Sequence, residues 1–206
     1  MRARRWSGRT FLATWFLAGA ALAQGAWVGY DVDIPSPEAT GVADGTLAAR
    51  IWSDGTSRYP DGAPAVVFVL GGESTGTLAR QIPQAAGVVI VCFLFPGGVD
   101  LASGRSSDGV YDFRGPASIA ALRDVALFAA GEIASASGQT VSEFVGLPVL
   151  PRGVGLLGSS NGGNIVLAVA AEHGAALADK VRWILQWESP VSSQAAVGDN
   201  RGPRVD

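Results

Sequence analysis

Two stretches of this chain are apolar at every position: residues 66–70 (VVFVL) and residues 88–95 (VVIVCFLF). A strand with one face in water alternates apolar and polar side chains, because successive residues point to opposite faces. A short run without alternation, rich in β-branched and aromatic residues, suits a strand covered on both faces. Such strands occur in parallel sheets packed between other layers. Residues 153–157 (GVGLL) and 181–187 (VRWILQW) are further runs of strand length, and residues 27–34 and 47–52 read as short strands upstream.

Helical patterns fall between these runs. Pro116 suits a first helical position, and Ile119, Leu122, Ala126, Ala129 and Ile133 recur at spacings of 3 and 4, which predicts one apolar face of a helix ending near Gly138. Residues 164–173 form a second helical stretch, with Gly174 placed as its C-terminal stop. Residues 75–84 have room for only a short helix. Pro148 and Pro151 make LPVLPR a poor strand. Residues 97–115 read as a long polar loop without periodicity, of a length that is either functional or mere surface decoration. Strand and helix in alternation predict an α/β fold: a mainly parallel sheet with helices on both faces.

Composition narrows the function. With 206 residues, 48% of them hydrophobic and 16% charged, the chain can bury a full core, which excludes disorder and a disulfide-stapled miniprotein. A single cysteine, Cys92, excludes an internal disulfide and a multi-thiolate metal site, and is read as a buried small hydrophobe. No cofactor or metal is expected. Arg2, Arg4, Arg5 and Arg9 precede an apolar stretch of 14 residues, 10–23, that ends in Ala21-Leu22-Ala23. A cationic start, a short apolar middle and a small-residue cut site form the layout of a secretory signal over residues 1–23, with the mature domain following from residue 24. The stretch falls short of the roughly 20 residues of a membrane-spanning helix. The expectation is therefore a secreted or periplasmic protein without a stable membrane anchor. Removing that segment takes away four of the 15 basic side chains and none of the 18 acidic ones, the wrong balance for gripping nucleic acid. Oligomeric state is not legible.

The chemistry sits at Gly158-Ser159-Ser160-Asn161-Gly162, a G-x-S-x-G turn with a strand-like run directly before it and a helical run directly after it. A sharp strand-to-helix reversal lifts the Ser160 hydroxyl into the open, while side chains at Gly158 or Gly162 would collide with neighbouring elements. The helix directs its first amides at the same spot, so the backbone N–H of Asn161 can donate to an oxyanion. The competing reading is a polar turn without chemistry. Gly153 to Gly158 also matches G-x-G-x-x-G, but a dinucleotide fingerprint must follow a strand and open a helix, whereas here the glycine segment is itself the strand.

On these residues the chain resembles the α/β-hydrolase superfamily, and GSSNGG is similar to the nucleophile elbow of its esterase-like and prolyl-oligopeptidase-like members. The resemblance implies that residues 66–70, 88–95, 153–157 and 181–187 are the third to sixth strands of that fold. It implies Ser160 as nucleophile, and a second oxyanion amide after the third strand, at Gly72 or Glu73 in Leu70-Gly71-Gly72-Glu73. The implied activity is hydrolysis of a small-molecule or peptide ester or amide through an acyl-enzyme.

A serine nucleophile needs a base, normally His, oriented by a carboxylate, and the family's order is Ser, acid, His. The one histidine, His173, falls on the helix that the elbow starts, about 20 Å from Ser160 at 1.5 Å per residue, and reads as a surface or helix-end residue. Glu188, after the sixth run, is a candidate acid or a pocket-lining carboxylate; Asp199 and Asp206 carry less weight. The family continues with two more strands bearing the acid and the His, so the resemblance implies the N-terminal portion of the fold, truncated after the sixth strand. The alternative from a different class is a non-catalytic secreted binding module that keeps the fold.

Overall fold

The computed structural model describes residues 26–82 and 86–189. The expected signal at 1–23, and Asp199 and Asp206, lie outside the described residues. In chain order the elements are β1 (Val28–Pro35), α1 (Pro37–Thr40), β2 (Thr46–Ser53), β3 (Ala63–Val69), β4 (Val89–Phe93), β5 (Val99–Asp100), β6 (Arg105–Ser106), α2 (Pro116–Ala129), α3 (Val141–Val145), β7 (Val149–Ser159), α4 (Asn161–Leu177) and β8 (Val181–Trp187). Six strands form one sheet in the order β1-β2-β4-β3-β7-β8. The β1-β2 and β2-β4 pairs are antiparallel, and β4-β3, β3-β7 and β7-β8 are parallel. The α/β class with a mainly parallel sheet is as expected.

The two wholly apolar runs become the central strands β3 and β4. Val67, Val69, Val91 and Phe93 face one side, where they join Leu122, Val125, Ile165 and Val169 of α2 and α4 in the main core. Phe68, Ile90 and Cys92 face the other side, against Trp27, Trp52 and Ile82. The period-2 geometry of a strand makes this division, and burial on both sides explains why neither run alternates. β8 is different. Among the described residues it pairs with β7 only, and Trp183, Leu185 and Trp187 are exposed.

Several boundaries depart from expectation. α2 ends at Ala129, not near Gly138: the N–H groups of Gly131 and Glu132 turn back to the Phe128 and Leu127 carbonyls, closing the helix about two turns early. Ile133 therefore lies outside the helix, packed against the core. Residues 75–82 form no helix; Gly76 instead bridges Leu94, and Thr77 N–H donates to the Phe93 carbonyl at 3.0 Å. β7 begins at Val149 and runs through Pro151. The proline is tolerated because its pairing with β3 jumps from Ala63–Val149 to Ala65–Val154, so Pro151 falls in an irregularity where no ladder donor is required. α3 was not anticipated, although its capping box, Thr140 with Glu143, is written in the sequence. α4 starts at Asn161 and passes through Gly174 to Leu177, with a local kink at His173 (φ −118°, ψ 19°) in place of a stop.

Candidate active site

β7 ends at Ser159 and α4 begins at Asn161, which leaves Ser160 as the whole of the hinge. Its backbone sits at φ 50°, ψ −126°, a region that non-glycine residues enter at a cost of about 1–3 kcal/mol. The surroundings hold it there. Ser160 N–H donates to the Trp187 carbonyl at the end of β8 at 2.7 Å, and its own carbonyl accepts from Gly163 N–H at 2.9 Å. A methyl group on Gly158 would overlap the Gly162 carbonyl, and one on Gly162 would overlap the Val69 carbonyl at the end of β3. The glycines thus let strand, turn and helix stack without space between them. The Ser160 side chain caps nothing, so the hydroxyl is not spent on the helix it precedes.

Asn161 is the first residue of α4, where a backbone N–H has no acceptor within its own helix and lies at the positive end of the helix dipole. Its side chain is buried and its Oδ1 accepts from Asn164 Nδ2 at 3.3 Å. The loop leaving β3 approaches the same point. A Cβ on Gly71 would stand 2.6 Å from Ser160 Cβ and 2.5 Å from the Ser159 carbonyl. Gly71 is therefore the residue of this loop that touches the elbow, a contact that sequence reading had not singled out; Gly72 (φ 68°) and Glu73 follow it and are exposed. Among the described residues neither Gly71 nor Gly72 N–H has an acceptor.

Beneath that loop lies a residue sequence reading missed altogether. Arg114, at the end of the 97–115 loop, is 1% exposed and has a left-handed backbone (φ 73°), as does Phe113 (φ 56°). Its Nη2 donates to the carbonyls of Leu70 at 2.6 Å and Ser74 at 2.9 Å, and its Nε donates to Tyr111 Oη at 3.0 Å. Tyr111 O–H in turn donates to the Ser74 carbonyl at 3.2 Å. The guanidinium also lies over the Phe95 ring, 4.4 Å from its centroid. Burial pushes the Arg114 pKa below the ordinary arginine range, with the Tyr111 contact acting the other way.

The remaining candidates separate. His173 stands twelve residues into α4, about 18 Å along the axis from its start, so it does not meet Ser160. Glu188 directly follows Trp187, whose carbonyl binds Ser160 N–H, so it stands beside the elbow in the chain; its backbone is left-handed (φ 54°) and the residue is exposed. The G-x-G-x-x-G match lies wholly within β7, and Gly155 leaves room there for the Trp183 ring, which a Cβ would overlap. Cys92 is fully buried and its thiol is pushed up to about 12 by desolvation. Among the described residues no group of three or more His, Cys, Asp or Glu gathers in a form that could hold a metal, and no helix is long and apolar enough to cross a membrane.

No protein-family model and no curated protein matches the sequence. Solved structures do match the fold. A bacterial heroin esterase superposes with a TM-score of 0.54 at 13% identity, over 85% of this chain and 48% of that one. A mutant of the esterase rPPE gives 0.50 at 13% identity, over 82% and 45%. A hyperthermophilic esterase from the archaeon Pyrobaculum calidifontis gives 0.47 at 18% identity, over 76% and 43%. By the first two of these the fold is that of the α/β-hydrolases, and the chain spans less than half the length of all three.

Proposed function

We propose that the protein is a serine hydrolase that cleaves a carboxylic ester or amide through an acyl-enzyme, with Ser160 as the nucleophile. The observation that carries this reading is the backbone of Ser160: a single strained residue joining a parallel strand to a helix, its hydroxyl uncommitted among the described residues and the positions two before and two after it glycine. In the proposed reaction Ser160 Oγ attacks the carbonyl carbon as a base removes its proton. The tetrahedral oxyanion is met by the N–H of Asn161 and by an amide of the loop after β3, at Gly72 or Glu73. Collapse breaks the C–O or C–N bond as the base returns its proton to the leaving alcohol or amine; water, giving a proton to the same base, then attacks the acyl-enzyme and releases the acid as the proton passes back to Ser160 Oγ. Each oxyanion donor supplies about 10²–10³ in rate in such sites.

The proposal places the general base outside residues 26–189, since His173 does not reach Ser160. Loss of a triad member in comparable constellations costs roughly 10⁴–10⁶ in rate. Residues 24–206 expressed alone are therefore expected to turn over a p-nitrophenyl acyl ester slowly or not at all. Turnover at an ordinary esterase rate would put the base within this chain.

A fluorophosphonate probe should label Ser160 in the intact protein and leave the Ser160→Ala variant unlabelled; equal labelling of both would sink the assignment. The alternative reading is a binding module that keeps the fold without turnover. Absence of both labelling and ester hydrolysis in the intact protein would select it. Export belongs to the same proposal: protein recovered from its source should begin at or near Gln24, and an intact Met1 or Arg2 terminus would reject it.

A further inference from the structure

We propose that Arg114 is a positioning residue for the oxyanion hole, its buried guanidinium clamping both ends of the glycine loop that lies against the nucleophile. The inference rests on Ser160 being the nucleophile and adds a residue that the elbow does not contain. One atom, Nη2, binds the carbonyls of Leu70 and Ser74, which flank the Gly71-Gly72-Glu73 segment on either side. The span between those carbonyls is thereby set by a group that cannot rotate its donors independently. Tyr111 repeats the restraint at the Ser74 end, accepting from Nε and donating to the same carbonyl. Gly71, inside the clamped segment, is the point of contact with Ser160.

Stability alone does not account for the arrangement. Burying a guanidinium costs more than burying an apolar side chain of similar volume, and here carbonyls, a phenol and a ring face answer it in place of a carboxylate. Nη1 is buried without a partner among the described residues, and both Phe113 and Arg114 occupy left-handed backbone. Such costs accumulate where a loop has to be held in one place. Oxyanion donors act only when fixed about 3 Å from the developing charge, so a loop free to drift by an ångström loses much of its effect on the transition state while substrate binding is little changed.

The test uses the intact protein, with turnover counted per Ser160 titrated by a fluorophosphonate. Arg114→Met is expected to lower kcat about 10²-fold with KM changed less than about threefold. Arg114→Lys, which keeps the charge but not the fork, should recover only part of the loss. Tyr111→Phe should lower kcat about three- to tenfold and keeps the test alive if Arg114→Met does not fold. Turnover per titrated serine within twofold of the parent in Arg114→Lys and Tyr111→Phe, with any loss confined to melting temperature, would overturn the clamp. Labelling that survives Ser160→Ala would instead overturn the nucleophile assignment, so the two failures are distinguishable.

Discussion

The two turns that meet at Ser160 are built by opposite means. The elbow is shaped chiefly by exclusion: Gly158, Ser160 and Gly162 lie within five residues, a side chain on Gly158 would overlap Gly162 and Gly163 of the same turn, and one on Gly162 would overlap the Val69 carbonyl at the end of β3. The loop after β3 has two successive glycines, Gly71 and Gly72, and lies outside any helix or strand. It is fixed from 40 and 44 positions away, through the Arg114 contacts to Ser74 and Leu70. A turn made by exclusion of side chains is rigid as soon as its strand and helix form. One made by distant hydrogen bonds depends on the rest of the fold being in place, and can be loosened without unfolding anything.

The sharpest way to break this contrast is Gly158→Val. Its side chain would enter the space of the Gly162 carbonyl and the Gly163 Cα, so the strand-to-helix junction cannot close. The expected cost is above about 4 kcal/mol, a loss of most folded protein, read from urea denaturation followed by circular dichroism. Gly71→Ala is the matched change on the other turn. The added methyl meets the Ser159 carbonyl and Ser160 Cβ, but one of the two sides of that contact is a loop outside any helix or strand, so we expect kcat to fall roughly 10- to 100-fold with a stability loss of about 1–3 kcal/mol, smaller than that of Gly158→Val. Equal destabilisation by the two variants would show that the turns form one unit.

Cys92 reports how far either disturbance spreads, because it lies on β4 in register with Phe68 of β3. Its thiol, buried and held at about 12, should resist iodoacetamide at pH 8 in the parent and in Gly71→Ala, and should react in Gly158→Val. Rapid alkylation in Gly71→Ala would mean that the loop and the sheet come apart together.

The smallest expected effect serves as the remote control. Asp31 on β1 accepts from Arg50 Nε on β2 at 2.6 Å, and that hydrogen bond holds its carboxyl below the ordinary carboxylate range, against a smaller opposing effect of burial. A depressed folded pKa contributes stability above the unfolded value, and the contribution is lost as pH falls through the lower folded value. Asp31→Asn should therefore cost below about 1 kcal/mol at pH 7, lose that difference from the parent as pH falls below the ordinary carboxylate range, and leave Ser160 labelling untouched. A change in labelling would tie the sheet edge to the site.

Legibility in the sequence followed the same division. The all-apolar runs identified β3 and β4, and the period-2 rule explains why both faces of each are covered. The elbow was readable because its signal is local: a strand run, five residues, a helix run. Helix ends were misplaced where one glycine was preferred over another, Gly138 over Gly131 and Gly174 over none, since a glycine ends a helix only when the packing leaves it free to turn. Pro151 was read as a strand breaker, and the shifted register with β3 removed the need for its missing donor.

What the residue order determined by itself was the class of layer, the direction of the central strands and the conformation of the turn at Ser160, because periodicity and side-chain exclusion act between near neighbours. Sequence also carried His173 away from the nucleophile, since both lie on one helical stretch; only the tertiary structure decided that Gly71 is the loop residue against the nucleophile and that a buried arginine closes the loop. Those facts depend on chain segments 40 or more positions apart arriving at one point, and no local pattern encodes a meeting of that kind.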